Sequence, residues 1–364
     1  MILCANPRAQ FQSYQTEIEE AVLAVMRGNQ YVIGEQVLWL EQEFSDYIGT
    51  DSAVGVANGT DAIELSLRAL DIGVDDEVIT VSHTAVATIA AIEAVGASPV
   101  LVDIEPNFYT INSSMLEEVL TKKTKVVIAV HLYGQSANMD GIKSFCDDNN
   151  LFLIEDVSQA HGAKYKNKRL GSIGDIGCFS CYPTKNLGAM GDAGLITTSN
   201  SNLAVKIRML REYGWKNRIS QLPGRNSRLD ELQAAILRVK LKYLDVDNEK
   251  RRQLAQYYIT NLSDSRVILP AIRSNTESVF HLFVVQVSKR KELLKHLLNA
   301  GIQAGIHYPV PVHLQPAYKN RISIASNMSI TEALADNIIS LPIYPELTMQ
   351  DAEKITSTVN SYFL

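Results

Sequence analysis

The run FSCYPTKNLGAMGDAG (179–194) places one lysine, Lys185, among small, apolar and turn-forming residues. A lysine in this position is either a solvated loop charge or an amine held in a dry pocket. Burial lowers the pKa of a lysine, and the neutral amine is a nucleophile toward carbonyl groups. Lys185 is therefore the first candidate for a catalytic side chain, provided that other residues form a pocket around it.

Polar residues also follow two other apolar, strand-like runs. In VANGTDAI a strand stops at Gly59 and Thr60 before a helical stretch, and LFLIEDVSQ ends with Asp156 and Gln159. Glycine lets the backbone approach a ligand and a helix N-terminus attracts anions, so the first pair is either a phosphate site or an ordinary turn. Asp156 is either a helix cap or a carboxylate that keeps a cationic ring nitrogen protonated.

Strands and helices alternate in the first part of the chain. We predict strands at 52–56, 77–81, 98–104, 125–133, 151–157, 175–182 and 194–199, and helices at 12–30, 34–48, 60–71, 84–95, 113–121 and 138–149. Continuous apolar strands with intervening helices predict a mostly parallel sheet that is buried on both faces. Ligands of such sheets bind beyond the carboxyl ends of the strands, which is where the three polar stretches lie.

The pattern changes after about residue 200. We predict one long helix at 228–260, strands at 279–287 and 302–308, and helices at 289–300, 331–340 and 349–362. A chain of 364 residues exceeds one ordinary core. The predicted fold class is therefore α/β, with a large domain at 1–240 that includes the N-terminal helices and a smaller α+β domain at 241–364.

Composition excludes several classes of protein. The net charge is −6 and no basic run occurs, so we expect no nucleic-acid partner. The polar N-terminus and the lack of an 18-residue apolar run predict neither a signal peptide nor a membrane span. Four cysteines without a pattern fit a reducing cytoplasm. Cys178 and Cys181 spell C-x-x-C, but they lie in a strand-like run, which favours buried thiols over a redox or zinc site. No metal site is expected.

The three polar stretches are consistent with one cofactor. A phosphate cradle, a carboxylate and a buried lysine, in this chain order on an α/β sheet, predict a pyridoxal phosphate site. Lys185 would form the imine with the cofactor, Asp156 would contact the pyridine nitrogen, and Gly59 and Thr60 would lie near the phosphate. Lys185 would then move the proton at the reacting carbon.

The same residues resemble the DegT/DnrJ/EryC1/StrS sugar aminotransferases, a branch of the fold type I pyridoxal phosphate enzymes. The resemblance covers essentially the whole chain. Its motifs are GNQYVIGEQVLWLEQEF (28–44), VANGTDAIELSLRAL (56–70), DEVITVSHT (76–84), IEDVSQAHGA (154–163), GDIGCFSCYPTKNLGAMGDAG (174–194), GRNSRLDELQAAIL (224–237), IHYPVPVHLQPAY (306–318) and LPIYPEL (341–347).

The resemblance adds roles for individual residues. It implies that Lys185 is the imine lysine, that Asp156 contacts the pyridine nitrogen and that Gln159 contacts the phenolic oxygen of the cofactor. Ser180 would bind the phosphate beside Gly59 and Thr60. Asn226 would reach the phosphate from a neighbouring subunit, so the resemblance implies a homodimer with shared active sites.

The resemblance also implies the reaction. An amino group would pass from glutamate to the cofactor and then to a keto group of a nucleotide-linked sugar, for amino-sugar biosynthesis. VSHT and IHYPVPVH favour a dTDP-linked 3-keto-6-deoxyhexose over a 4-keto sugar. Candidate substrate contacts are His83, His307, His313 and Arg218, although such histidines often serve loop carbonyls and Arg218 is equally a surface charge.

Two alternatives stay open. One is a non-catalytic or regulatory protein that binds pyridoxal phosphate, because a fold does not fix a function. The other is lyase or decarboxylase chemistry with the same cofactor. Lys185 argues against the dehydratases of the family, in which a histidine takes the place of the lysine.

Three positions depart from the family pattern. Ala85 stands where an aromatic ring usually covers one face of the cofactor, and His83 is the candidate to take its place. Cys181 replaces a common aromatic residue and Ala193 a common glycine. Neither of the last two residues is predicted to take part in the chemistry.

Overall fold

The computed structural model of the protein describes residues 1–324 and 327–364. The helices are α1 (Pro7–Ser13), α2 (Gln15–Arg27), α3 (Glu35–Ile48), α4 (Gly59–Ala69), α5 (Val86–Ala94), α6 (Leu116–Val119), α7 (Met139–Asn149), α8 (Ser201–Leu210), α9 (Glu231–Leu241), α10 (Leu244–Asn261), α11 (Arg290–Asn299), α12 (Ser329–Asn337) and α13 (Met349–Ser361). Short 3₁₀ turns lie at Ser113–Met115, Leu132–Gly134 and Val312–Leu314.

The strands are β1 (Ser52–Val56), β2 (Glu77–Val81), β3 (Ser98–Val102), β4 (Thr124–Val130), β5 (Phe152–Asp156), β6 (Lys164–Tyr165), β7 (Lys168–Arg169), β8 (Ile176–Ser180), β9 (Gly194–Thr198), β10 (Trp215–Lys216), β11 (Ile219–Ser220), β12 (Thr276–Glu277), β13 (Phe283–Gln286), β14 (Ser323–Ile324) and β15 (Ile338–Leu341). Each of the seven strands predicted between residues 52 and 199 is present, with ends that differ by a few residues at most.

Among the described residues, eight strands form one central sheet in the order β1-β9-β8-β5-β4-β2-β3-β14. Only β9 runs antiparallel to its neighbours β1 and β8, and the remaining pairs are parallel. Helices pack against the sheet, and the strand interiors are almost wholly buried. The predicted α/β fold with a mostly parallel sheet is confirmed.

The direction of the strands brings the polar stretches together. Strands β1, β5 and β8 run in the same direction, because β1 and β8 are both antiparallel to β9 and β5 is parallel to β8. Their carboxyl ends therefore lie at one edge of the sheet. Asn58 follows β1, Asp156 ends β5 and Ser180 ends β8.

A second core lies mainly in the C-terminal part of the chain. Strands β13 and β15 pair antiparallel, and their buried side chains cluster with those of α10, α11 and α13. Ile2 belongs to the same cluster and forms an isolated bridge with Ile302. The N-terminal residues thus pack against the C-terminal part of the chain. The predicted boundary near residue 240 stays a prediction.

Two predicted helices are each interrupted in the structure, and the residues at the two interruptions are in contact. The helix predicted at 12–30 is interrupted at Tyr14, and the helix predicted at 228–260 is interrupted at 242–243. Tyr14 stacks on Tyr243 with ring centroids 4.2 Å apart. The sequence prediction of continuous helices was wrong here, and the two break points are in contact with each other.

Two further predictions in the C-terminal region were wrong. The helix predicted at 331–340 ends at Asn337, and the buried run Ile338–Leu341 pairs with β13 as a strand. The strand predicted at 302–308 forms only isolated bridges at Ile302 and Gly305. Its later residues turn toward a cavity instead of continuing a ladder. Within the described ranges, no helix has both the length and the apolar character that crossing a membrane requires.

Candidate active site

A cavity of about 510 Å³ lies at the carboxyl edge of the central sheet. One side, which we call the sheet wall, consists of lining residues within 58–60, 156–159 and 180–185. Another part of the lining, the second wall, consists of residues within 4–5, 281–282 and 303–308. The predicted site residues that line this cavity are Gly59, Thr60, Asp156, Gln159, Ser180, Lys185 and His307.

The turn from β1 into α4 forms one end of the sheet wall. Asn58 caps α4, and its side chain accepts a hydrogen bond of 2.8 Å from the N–H of Asp61. The first N–H groups of a helix have no partner within the helix, so the turn at Gly59 and Thr60 can bind an anion. A Cβ atom on Gly59 would lie 2.5 Å from the Cβ of Ser180. Only glycine therefore allows α4 to begin this close to the end of β8.

Lys185 lies in the loop after β8, partly buried in the sheet wall. Its N–H donates to the carbonyl of Tyr182 at 2.8 Å, and Ala189 donates to the carbonyl of Cys181 at 2.8 Å, which folds the loop back on itself. Burial lowers the pKa of the Lys185 amine to about 8, while the charge of Asp156 acts in the opposite direction. A useful fraction of the amine is therefore neutral near neutral pH, as a nucleophile requires.

Asp156 is buried at the end of β5. Its Oδ2 accepts a hydrogen bond of 3.1 Å from the hydroxyl of Thr88, and its Oδ1 accepts one of 3.2 Å from the N–H of Ser158. The hydroxyls of Thr84 and Thr88 lie 2.9 Å apart. Both carboxylate oxygens are thus held in place.

Gln159 joins the two walls of the cavity. Its Oε1 accepts a hydrogen bond of 2.8 Å from the N–H of Tyr133, and its Nε2 donates to the hydroxyl of Tyr308 at 3.0 Å. Burial raises the pKa of Tyr308 to about 12, and the charge of Asp156 adds to this shift. Tyr308 is therefore a neutral phenol beside Gln159 in the cavity.

Two predicted substrate contacts, His83 and His313, lie outside the cavity lining. His83 is buried, and its Nε2 donates to the hydroxyl of Tyr133 at 2.7 Å. That hydroxyl in turn donates to the carbonyl of His307. His313 is also buried, between the hydroxyl of Ser82 at 2.6 Å and the carboxylate of Glu332 at 3.2 Å. Neither ring lines the cavity, whereas Ala85 does. The role of His83 in place of the missing aromatic ring stays a prediction.

Arg218 and Asn226 lie on the surface and do not line the cavity of their own chain. Arg218 belongs to the turn between β10 and β11. Asn226 forms an isolated backbone bridge with Glu212. Their predicted roles involve a substrate at the cavity mouth and a second subunit, so one chain alone does not place them.

Other cavity residues were missed by the sequence analysis. Tyr308, His281 and Arg251 line the cavity, and Thr88 supports it through Asp156. None of them lies in a local pattern that signals chemistry. Tyr308 stands in the motif IHYPVPVH, whose histidines drew attention instead, and Arg251 is one of many charges on α10.

The residues present fit pyridoxal phosphate. A helix N-terminus with a glycine pressed against Ser180 suits a phosphate, the held carboxylate of Asp156 suits a pyridinium nitrogen, and the amine of Lys185 suits an aldehyde. These three groups share one cavity. No cluster of three or more potential metal ligands occurs among the described residues.

The model of the DegT/DnrJ/EryC1/StrS aminotransferase family matches residues 12–360. The chain belongs to this family. An aminotransferase from Aneurinibacillus thermoaerophilus, "dTDP-3-amino-3,6-dideoxy-alpha-D-galactopyranose transaminase", is 45% identical over 350 residues, which cover 96% of each chain.

Solved structures agree with this assignment. DesV from S. venezuelae, in complex with a ketimine intermediate, superposes with a TM-score of 0.97 at 39% identity and covers 99% of this chain and 98% of its own. NtdA from Bacillus subtilis, with bound cofactor PMP, gives a TM-score of 0.88 at 30% identity, covering 95% of this chain and 81% of its own. The predicted enzyme class, a pyridoxal phosphate-dependent aminotransferase of fold type I, is confirmed.

Proposed function

We propose that this aminotransferase moves an amino group from glutamate to the 3-keto group of a dTDP-linked 6-deoxyhexose, for amino-sugar biosynthesis. The observation that carries the chemistry is the convergence of the Lys185 amine, the Asp156 carboxylate and the N-terminus of α4 in one cavity. The choice of sugar is supported by the name of the Aneurinibacillus relative, because the sugar in that name carries its amino group at carbon 3. That relative also favours dTDP as the nucleotide.

Lys185 attaches the cofactor and moves a proton in this proposal. Bound pyridoxal phosphate supplies an electron sink that stabilises negative charge at the carbon bearing the amino group. The amine of Lys185, with its pKa lowered to about 8, is poised to take the proton from that carbon and to return it. A base with this pKa exchanges protons readily near neutral pH.

Asp156 would keep the ring nitrogen of the bound cofactor protonated. Its carboxylate is buried, and Thr88 and Ser158 hold its two oxygens. Because Asp156 is buried, a charge-assisted hydrogen bond from its carboxylate to the ring nitrogen would be stronger than in solution. Gln159 would contact the phenolic oxygen, from a position fixed by Tyr133 and Tyr308.

The phosphate would be held by the backbone at Gly59 and Thr60 and by the hydroxyl of Ser180. Ser180 lies against Gly59, so the hydroxyl and the helix N-terminus face the same region of the cavity. In this proposal Asn226 of a second subunit completes the phosphate site. Two identical chains related by a twofold axis would exchange this residue reciprocally.

The surface supports a homodimer. Large apolar side chains are exposed on or beside the N-terminal helices, on the β10–β11 turn and at the cavity itself: Met26 is 59% exposed, Tyr31 53%, Leu38 56%, Ile219 64% and Tyr182 52%. A contiguous patch of exposed apolar side chains marks an interaction surface, and in this proposal the second subunit covers these side chains. The open side of the cavity at Tyr182 would then be closed by the partner.

A panel of nucleotide sugars tests the substrate. The enzyme, pyridoxal phosphate and glutamate are incubated with dTDP- and UDP-linked 3-keto and 4-keto sugars, and aminated products are identified by mass spectrometry. We expect the dTDP-linked 3-keto-6-deoxyhexose to give most product. Preference for a 4-keto sugar or a UDP sugar would correct the substrate, and no amination of any sugar would support a regulatory role.

Mixed dimers test the shared site. Lys185→Ala chains and Asn226→Asp chains are each expected to be nearly inactive, the second because a carboxylate repels the cofactor phosphate. A dimer of one chain of each kind contains one site that is wholly wild type, so activity should return in part. Formation of mixed dimers without activity, or full activity of a monomer, would show that the sites are not shared.

A further inference from the structure

His281 lines the cavity but has no role in the mechanism above. It lies just before β13, and its segment is tied down on both sides. The guanidinium of Arg251 donates to the His281 carbonyl at 3.4 Å, and the N–H of Leu282 donates to Tyr133 at 3.3 Å. Gly134, at φ +99°, allows the chain to pass so closely that a Cβ there would lie 2.8 Å from the His281 nitrogen. The imidazole therefore has a fixed place in the second wall.

Two asparagine amides next to His281 have a defined orientation. The Nδ2 of Asn186 donates to the carbonyl of Val279 at 3.0 Å and to the Oδ1 of Asn248 at 2.8 Å. The Nδ2 of Asn248 donates to the carbonyl of His161 at 2.9 Å. A backbone carbonyl can only accept, so these contacts fix which end of each amide is nitrogen. The Oδ1 of Asn186 consequently faces the Nδ1 of His281, at 3.1 Å.

This contact determines the tautomer of His281. An amide oxygen only accepts, so the Nδ1 of His281 carries the proton. Burial lowers the pKa of His281 well below its ordinary value, and the charges of Lys185 and Arg251 lower it further. The ring is therefore neutral and its Nε2 has a free lone pair. No residue in the described part of the chain donates a hydrogen bond to that nitrogen.

We propose that His281 is a substrate-binding residue whose Nε2 accepts a hydrogen bond from a hydroxyl group of the sugar. The proposal rests on the proposed function, because it assigns a contact to the sugar substrate. A hydroxyl suits this place better than the ammonium group of an amino acid, since Lys185 and Arg251 already place positive charge near the ring. The lone pair on Nε2 thus gives the second wall a hydrogen-bond acceptor for a sugar hydroxyl.

The two half-reactions of the enzyme separate a sugar contact from a contact with the amino donor. Both start from the pyridoxal phosphate form, one with glutamate and the other, in reverse, with dTDP-3-amino-3,6-dideoxy-α-D-galactopyranose. Loss of cofactor absorbance is followed by stopped flow for each. In His281→Asn, the shorter side-chain amide can still donate to the Oδ1 of Asn186, but it has no acceptor at the former position of Nε2. We expect the apparent Kd of the amino sugar to rise about tenfold and that of glutamate to change by about twofold at most.

His281→Gln distinguishes binding from a structural role. The longer glutamine places an amide oxygen near the former position of Nε2 but gives up the contact with Asn186. We expect it to bind the amino sugar better than His281→Asn does. The proposal would be overturned if the affinity of His281→Asn for the two substrates fell equally, fell for neither, or fell for glutamate alone. It would also be overturned if His281→Gln bound the amino sugar more weakly than His281→Asn. If the wild-type enzyme reacts with glutamate but not with the amino sugar, the proposed sugar substrate is wrong, while the proposed amino donor is retained.

Discussion

The two walls of the cavity are built in different ways. The sheet wall comes from three short motifs at the ends of β1, β5 and β8, which parallel strands bring together. The second wall combines the N-terminus, the segment before β13 and the 303–308 loop. These segments are far apart in sequence and are held by contacts such as those of Ile2 with Ile302 and of Gly305 with Ser340.

This difference suggests a division of tasks. The sheet wall carries the amine, the carboxylate and the helix N-terminus, which the chemistry of any amino donor and acceptor requires. The second wall carries neutral acceptors and donors, His281, His307 and Tyr308, which suit recognition of a particular substrate. Substitutions in the sheet wall should therefore slow both half-reactions alike, whereas substitutions in the second wall should affect one substrate more than the other.

The largest effect is expected for Lys185→Ala. Loss of the amine removes the attachment of the cofactor and the proton carrier, so both half-reactions should slow by roughly 10³-fold or more while the fold remains. Cofactor absorbance and single-turnover rates measure this. Lys240→Met is the control, because burial also lowers the pKa of Lys240 to about 8 but its amine donates to Gln10 and Gly188 outside the cavity. A Lys185→Ala enzyme with normal rates would remove the basis of the proposed mechanism.

The same lysine predicts a dependence on pH. The folded amine has a pKa lowered to about 8, and only its neutral form reacts with an aldehyde. Capture of free pyridoxal phosphate by the apoenzyme should therefore speed up as the pH rises and reach half its maximum near pH 8. Stopped-flow absorbance between pH 6 and 10 measures the profile. A midpoint near the ordinary value for lysine would show that the amine is solvated.

Asp156→Asn should give the next largest effect. The amide still fills the space, but it no longer holds a proton on the ring nitrogen, so both half-reactions should slow by about 10²- to 10³-fold. Glu155→Gln is a matched control, because Glu155 is also buried on β5 but contacts His131 and the N–H groups of Ile173 and Gly174. Glu155→Gln should lower the melting temperature with little change in rate. The reverse outcome for the two variants would contradict the assigned roles.

The two walls also differ in how far the sequence predicts them. Each motif of the sheet wall is continuous, so strand ends, a glycine turn and a lysine loop can be recognised locally. The central sheet follows from the apolar periodicity for the same reason. His281 has no such local signal, because its tautomer depends on Asn186 and Asn248, and these meet only in the folded chain.

The wrong predictions have the same origin. The breaks at Tyr14 and Tyr243 lie where the two rings stack across the fold, and neither break has a proline or glycine to mark it. His83 and His313 form hydrogen bonds with Tyr133 and Ser82 and do not line the cavity, so their role as substrate contacts stays a prediction. Sequence patterns indicate which residues lie near a site, but not whether a given side chain points into the cavity.

Gly59→Ala should mainly affect cofactor binding. A methyl group there would lie 2.5 Å from the Cβ and 2.9 Å from the Cα of Ser180, so α4 must move away from the end of β8. The phosphate site would widen, and we expect the Kd of pyridoxal phosphate to rise about 10-fold, with rates close to normal at saturating cofactor. Fluorescence titration of the apoenzyme measures the Kd. Gly73→Ala, in a turn with more space, is the control and should bind cofactor normally.

The smallest effect is expected for Thr88, which acts on the cofactor only through Asp156. Its hydroxyl donates to Oδ2 of Asp156 at 3.1 Å and lies 2.9 Å from the hydroxyl of Thr84. Thr88→Val keeps the shape of the side chain but removes the donor, so the carboxylate of Asp156 is less well oriented.

We expect Thr88→Val to slow the half-reactions with glutamate and with the amino sugar to the same degree, by about 5- to 10-fold, because the carboxylate of Asp156 loses one hydroxyl donor. Thr88→Ser keeps the hydroxyl and should retain most of the rate, although the lost methyl group slightly loosens the packing of α5. The comparison of the two variants separates the hydrogen bond from the packing. If the serine variant is as slow as the valine variant, Thr88 supports α5 and not Asp156. If only the sugar half-reaction slows, then Thr88 acts in sugar recognition, and the proposed division of tasks between the two walls is wrong.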